Sequence, residues 1–299
     1  MPFSGSGVAI ITPLKNDRID FDAYGKLLDF HAKNKTDAIV VCGTTGESAT
    51  LTVEEQKRLI QFTAEHARGM HVTAGVGSNS THKTVELARW ACGVSGVDSL
   101  LVITPYYNKP SQAGLVAHFS AVAEVSTRPI IMYNVPGRTG VNMTAATTLE
   151  LAKVKNIAGV KEASGDLNQI SEICAHAPKG FAVLSGDDAL TLPILSVGGV
   201  GVISVTANVV PERLSRLVHA WLEGRRDEAR DIHHQLLKLN QTMFVETNPV
   251  PVKTAVNLLA KSGKYGLPDC GHVRLPLVEL QKASLDKLVA AMREFGLEV

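Results

Sequence analysis

The chain predicts an α/β fold, a (β/α)8 barrel with a helical appendage at its C-terminal end. Eight short apolar runs recur up to Val205. Each run is continuously apolar rather than alternating, as parallel strands covered on both faces are. Successive runs start about 20–35 residues apart, the repeat of a βα unit.

The runs are Val8–Thr12, Ala38–Cys42, His71–Gly75, Ser99–Thr104, Pro129–Tyr133, Ile157–Lys161, Ala182–Ser185 and Val200–Val205. Helical spacing fills most of the gaps. Phe21–Lys33 sets Tyr24, Leu27, Leu28 and His31 or Ala32 on one face, and Thr84–Cys92 repeats the pattern with Val85, Leu87, Ala88 and Ala91. Thr52-Val53-Glu54-Glu55 has the spacing of a capping box, and Pro211 suits the first turn of a helix. Eight such units close a barrel of the TIM type; an open doubly wound sheet is the alternative.

Beyond Val205 the strands stop. Pro211–Glu223, Arg225–Thr242, Pro251–Leu259 and Ser284–Phe295 read as helices, with a Gly- and Pro-rich loop over Gly263–Pro276. The expected division is a barrel over residues 1–224, carrying the active site, and a helical region over residues 225–299 packed on it. Arg225–Glu228 and the pair His233-His234 are expected on a solvated helix face rather than at a metal.

Hydrophobic residues make up 45% and charged residues 20% of the chain, with a formal net charge of +1. That composition supports a sizeable core. The basic residues form no block, so neither nucleic acid nor an anionic membrane is an expected partner. Cys42, Cys92, Cys174 and Cys270 lie far apart, which argues against a disulfide framework or a zinc site, and Cys42 is expected inside the core. Met1–Leu14 has no basic leader or cleavage-like site, and no run reaches membrane-span length. The expectation is a cytoplasmic protein.

Lys161 stands out within Ile157–Ser164, a run that otherwise reads as a buried strand. Burial favours the neutral amine, which is a nucleophile towards carbonyls, so the position suggests Schiff-base chemistry. The plainer reading is a strand-end Lys whose head group reaches water. Active sites of such barrels lie at the C-terminal strand ends, and other candidates fall there. One strand ends in Gly43-Thr44-Thr45-Gly46-Glu47-Ser48, a turn whose backbone N–H groups could face an anion, although a structural turn needs only its glycines. Tyr106 and Tyr107 end another strand, and Tyr133 ends the strand next to that of Lys161. A Tyr at a strand end is commonly packing; two such ends beside a buried Lys are less common. Gly198-Gly199-Val200-Gly201 precedes its strand, so close backbone packing is expected there. Gly75-Val76-Gly77 lacks the last glycine of a dinucleotide fingerprint. No cofactor and no metal is expected.

Taken together, Gly43–Leu51, Thr104–Ser111, Tyr133–Gly140, Val160–Gly165, Leu184–Asp188 and Gly201–Asn208 resemble the 4-hydroxy-tetrahydrodipicolinate synthase (dihydrodipicolinate synthase) family over nearly the whole chain. This family belongs to the pyruvate-dependent class I aldolase and N-acetylneuraminate lyase superfamily. The resemblance implies a lyase that condenses pyruvate with L-aspartate 4-semialdehyde in lysine and diaminopimelate biosynthesis. Lys161 would form the Schiff base, and Tyr133, Thr44 and Tyr107 would relay protons, with Tyr107 reaching in from a neighbouring subunit. Thr45 would hold the pyruvate carboxylate, Arg138 the semialdehyde carboxylate, and the Ile203 carbonyl would lie near pyruvate. A homotetramer built as a dimer of dimers is also implied. Ser48, Ala49, Asn79 and Tyr106 match parts of the lysine-sensing site of inhibited relatives. Val53 and Gln56 stand where such relatives can carry His, and Lys83 where a Glu would hold the effector's ammonium, so weak lysine feedback is expected. Another pyruvate-dependent aldolase, an N-acetylneuraminate or keto-sugar-acid lyase, or a non-catalytic keto-acid-binding relative, are the alternatives. Arg138 and the intact relay speak against them.

Overall fold

The computed structural model describes residues 2–299. Eight parallel strands close a barrel in sequence order: β1 (Gly5–Ala9), β2 (Ala38–Val41), β3 (His71–Gly75), β4 (Ser99–Ile103), β5 (Ile130–Asn134), β6 (Ile157–Glu162), β7 (Ala182–Ser185) and β8 (Gly201–Ser204), with β8 returning to β1. The strands are buried almost throughout, which is why they read as unbroken apolar runs. Phe3, Ala9, Val40, Leu101, Ile131, Leu184 and Ile203 fill the barrel interior, and a larger cluster fills the space between strands and helices. Where β8 meets β1, a Cβ on Gly201 would stand 2.2 Å from the Gly5 carbonyl oxygen, so the expected close packing is real.

The helices are α1 (Phe21–Lys33), α2 (Val53–His66), α3 (Thr81–Cys92), α4 (Gln112–Val125), α5 (Ala145–Leu151), α6 (Leu167–His176), α7 (Thr191–Ser196), α8 (Pro211–Leu222), α9 (Arg226–Thr242), α10 (Val250–Ser262) and α11 (Lys282–Glu294). Side-chain caps from Asp20, Thr52, Ser80, Ser111, Thr144 and Asp166 start six of them, and Thr52 with Glu55 closes the capping box. Pro211 occupies the first turn of α8. α9 packs along α8, and α11 lies against α9 and α10. Among the described residues no helix is long and apolar enough to cross a membrane.

Three details differ from the sequence expectation. The first strand lies at Gly5–Ala9, not Val8–Thr12. Ile10 and Ile11 remain buried, but as part of the mouth: the Ile11 N–H donates to the Asn208 side chain at 3.1 Å instead of to a strand. A small hairpin pairs Leu14–Lys15 with Arg18–Ile19. His233 is not on a solvated face. It is only 9% exposed, turned inward on α9 beside Ile232 and Leu236, whereas His234 is exposed. On a helix, adjacent residues point about 100° apart, so a His pair cannot share one face.

Candidate active site

β5 and β6 pair Tyr133 with Lys161, and β6 and β7 pair Lys161 with Leu184, which places all three on one layer of the barrel. Lys161 is 5% exposed. Its Nζ lies 4.3 Å from the centroid of the Tyr133 ring, and no carboxylate forms an ion pair with it among the described residues. Gly186 makes the room: a Cβ there would stand 3.1 Å from both Cγ and Cε of Lys161. Burial pulls the Lys161 pKa down to about 7, with Asp188 opposing and Arg138 adding to the fall. The plainer reading, a head group snorkelling into water, therefore does not describe this side chain. At neutral pH a large share of the amine is unprotonated and ready to attack.

Burial pushes the Tyr133 phenol the other way, to about 12, while Arg138 and the Thr44 hydroxyl favour ionisation. The phenol is thus a neutral hydrogen-bonding group that can pass a proton. Thr44 stands in the turn after β2, where Gly46 N–H donates to Gly43 C=O at 3.1 Å and Glu47 N–H to Thr44 C=O at 3.0 Å. A Cβ on Gly46 would come 3.1 Å from the Ile10 carbonyl oxygen, which explains the glycine. Glu47 adopts the left-handed conformation, φ +59°, unusual for a residue with a side chain. Two hydrogen bonds pin it: Lys253 Nζ donates at 2.8 Å and the Arg274 N–H at 2.9 Å.

Arg138 sits on a single helical turn, Pro136–Thr139, directly after β5. Thr44, Tyr133, Arg138 and Tyr106 line one cavity of about 730 Å³, whose outer arm includes Ser48, Ala49, Val53, Gln56 and Lys83. Thr45 and Ile203 are buried at the mouth and in the inner wall. Asn79 lies beside this arm, its carbonyl accepting a hydrogen bond from Asn108 at 2.8 Å. A single chain does not bring Tyr107 to the others: its ring is 88% exposed on a loop where Tyr107 and Lys109 both have positive φ.

Three groups went unnoticed in the sequence. Asn248, just before α10, donates from Nδ2 to Thr45 Oγ1 at 3.0 Å, and its carbonyl accepts from Arg138 at 3.2 Å. It thereby ties together the two expected carboxylate sites from outside the first 224 residues. In Glu246-Thr247-Asn248-Pro249 it reads as an ordinary polar turn residue, so nothing local marked it. Lys253 did give one, a cation inside Val250–Val256, the same kind of signal that marked Lys161. Asp188, part of the run Leu184–Asp188 but given no role there, is the third, a buried carboxyl in the turn after β7.

The chain matches the model of the dihydrodipicolinate synthetase family over residues 2–295. The 4-hydroxy-tetrahydrodipicolinate synthase of Citrifermentans bemidjiense is 50% identical over 296 residues, covering 99% of both chains. The same-named enzyme of Thermoanaerobacter pseudethanolicus is 48% identical over 297 residues, covering 99% of this chain and 97% of its own. The crystal structure of dihydrodipicolinate synthase from Aquifex aeolicus superposes with a TM-score of 0.93 at 45% identity, covering 99% of each chain. A closed eight-stranded barrel, a buried unpaired lysine at its mouth and likeness along essentially the whole length agree, and the chain belongs to the dihydrodipicolinate synthetase family.

Proposed function

We propose that this enzyme condenses pyruvate with L-aspartate 4-semialdehyde to give 4-hydroxy-tetrahydrodipicolinate. The observation that carries the reading is Lys161, buried, without an ion-pair partner and with its pKa lowered to about 7. Its neutral amine adds to the pyruvate keto carbon. The keto oxygen leaves as water, and the resulting iminium draws electrons from the methyl group. Loss of a methyl proton gives an enamine, which attacks the aldehyde carbon of the second substrate; the amine of that substrate then adds to the iminium carbon, closing the ring and expelling Lys161 as the free amine. Tyr133 and Thr44 carry the protons, since each step moves one within a closed site. Thr45 holds the pyruvate carboxylate, with the Ile203 carbonyl nearby, and Arg138 offers a planar fork to the semialdehyde carboxylate.

Tyr107 completes the relay in a neighbouring copy. Its 88% exposed ring, on a loop with positive φ at Tyr107 and Lys109, is free to reach a neighbouring copy, which supports that role. The assembly would be a homotetramer, a pair of tight dimers. Residues 1–224 form the barrel and residues 225–299 a helical region packed on it, which lends Asn248 to the site. Four free, widely separated cysteines suit a reducing cytoplasm.

Borohydride reduction in the presence of pyruvate, followed by intact mass and peptide mapping, tests the reading. One covalent pyruvate adduct on Lys161, lost on adding the semialdehyde before the reductant, is the expected result. A chain that stays unmodified refutes it.

A further inference from the structure

Tyr133 and Lys161 pair across β5 and β6 with their side chains inside the barrel. One position on, Asn134 pairs with Glu162, and by the alternation of a strand both of these face outward. The outward position two residues earlier on β6 is Val160, packed in the apolar layer between strands and helices. Glu162 lies in that same layer, fully buried, as is Asn134. A carboxyl group there is costly unless its oxygens are engaged. They are, and each partner donates. Oε1 accepts from the Ser164 N–H at 2.8 Å and from Asn134 Nδ2 at 3.1 Å; Oε2 accepts from Asn134 Nδ2 at 3.2 Å and from Gln169 Nε2 on α6 at 3.2 Å. Burial raises the Glu162 pKa, and these same donors oppose the rise.

The two amides that reach Glu162 also hold the far end of the segment joining β5 to α5. The Met143 N–H donates to Asn134 Oδ1 at 2.9 Å, and the Met143 carbonyl accepts from Gln169 Nε2 at 3.2 Å. Asn142 is caught the same way. Its Oδ1 accepts from Asn134 Nδ2 at 2.7 Å, and its Nδ2 donates to Gln169 Oε1 at 2.9 Å. Asn134 begins this excursion of the chain, Met143 ends it, and Arg138 stands midway between Asn134 and Asn142. Both ends are therefore drawn to one buried carboxyl group.

We propose that Glu162 is a positioning residue for the second substrate: through Asn134 and Gln169 it fixes both ends of the Asn134–Met143 segment, and with them the place of Arg138 at the cavity wall. The inference rests on the reading of Arg138 as the site of the semialdehyde carboxylate. A two-donor fork grips a carboxylate only when both N–H groups aim at it, so a segment loosened at its ends weakens binding of the substrate that Arg138 faces. Imine formation is spared, because Lys161 points into the barrel while Glu162 points out of it. Glu162 is required only as an acceptor. Gln, of nearly equal size, is thus the disruptive change, since it brings N–H donors to a place where N–H donors already converge.

The test measures steady-state rates with both substrates, borohydride trapping of pyruvate, and melting temperature on the full-length enzyme. The variants are Glu162→Gln, the exchange Glu162→Gln with Gln169→Glu, and Asn142→Ala. In the single variant two amides confront each other; the exchange restores an acceptor opposite a donor. Glu162→Gln should raise KM for the semialdehyde about tenfold, the value of one buried hydrogen bond, while pyruvate trapping stays within about twofold of wild type. The exchange should recover most of that loss. Asn142→Ala alters an exposed residue and should raise the same KM by a smaller factor, which keeps the proposal refutable should the buried variant not fold. A semialdehyde KM unmoved in Asn142→Ala, or in folded Glu162→Gln, overturns the proposal. So does a loss that the exchange fails to repair, or pyruvate trapping that falls in step, which marks general damage beside Lys161. An Arg138→Ala enzyme with wild-type KM for the semialdehyde, or a wild-type enzyme that does not consume it, brings down the reading of the site itself, and this proposal with it.

Discussion

Two lysines of this chain are buried to nearly the same degree, yet they are built for opposite ends. Lys253, 1% exposed on α10, meets Glu47 at 2.8 Å with both side chains sealed from water. Lys161, 5% exposed on β6, faces the ring of Tyr133 and has no carboxylate in an ion pair with it among the described residues. Burial lowers the pKa of both; at Lys253 the Glu47 charge and hydrogen bond oppose it directly. What decides the chemistry is the partner, not the depth. A paired ammonium holds structure, and an unpaired amine is free to react.

Replacing each lysine separates the two roles. Lys161→Met should reduce condensation to background, a loss of at least about a thousandfold, and abolish borohydride trapping. The same variant should gain stability. The Lys161 pKa in the fold, about 7, lies below the ordinary value of 10.5, so the unfolded chain binds more protons between those pH values. Stability of the wild type therefore rises with pH across that window, and the penalty is full below pH 7. Removing the amine should raise the unfolding free energy by about 2–4 kcal/mol at pH 6, with the gain shrinking towards pH 10. Denaturant titrations at the two pH values check this; a variant less stable than wild type would show that Lys161 is a structural residue after all.

Lys253→Met should do the reverse. It strands the Glu47 carboxylate in the core and frees a residue held at φ +59°. Breaking a buried pair from one side typically costs about 3–5 kcal/mol, so a markedly lower melting temperature is expected. Well below that temperature, trapping at Lys161 should survive. A variant that melts like the wild type would break the contrast from the other side.

The sequence signal was the same for both residues, a cation within an apolar run, and it was read at one of them. At Lys161 the neighbouring strand end supplied Tyr133, and the regular βα repeat placed the two side by side. At Lys253 the answering charge lies 206 positions earlier in the chain, and nothing local announces it. Strands and helices were legible because their cause is local periodicity. Asn248 and Asp188 were not, since their meaning depends on Thr45, Arg138 and Val205, which only the closed barrel brings near. His233 was misplaced for a related reason: charge around it suggested solvent, while the face it turns inward is set by α9 packing on α8.

Arg138 sharpens the comparison within the site, since it is a cation at the cavity wall whose role is binding rather than reaction. Arg138→Ala should lower kcat/KM for the semialdehyde by about a hundredfold, the value of one charge-assisted fork, while pyruvate trapping at Lys161 changes little. Steady-state rates alongside trapping yields measure both. Equal losses would mean that Arg138 serves the pyruvate half as well. Its effect on the Lys161 pKa is in the opposite sense to that of Asp188, so trapping should if anything shift slightly towards higher pH.

The smallest effect is expected from free lysine. The outer arm of the cavity carries Lys57 and Lys83 against Glu86, and Arg138 adds a further positive charge where the arm joins the site. Glu86 is already approached by His82 at 3.3 Å, and Lys57 by Glu54 at 3.1 Å. Gln56 commits one amide N–H to the Ser48 carbonyl at 2.9 Å, and Val53 offers no polar atom beyond its backbone. A ligand with two ammonium groups entering this arm meets like charge at Lys83, whose side chain is exposed, so at about 4 Å in water the repulsion amounts to about 1 kcal/mol. Millimolar lysine should therefore change the initial rate by less than about twofold, a shift worth under half a kcal/mol. Strong inhibition at submillimolar lysine would mean that a partner subunit supplies the missing acceptors, and that the charge of Lys83 is turned away from the arm in the assembled enzyme.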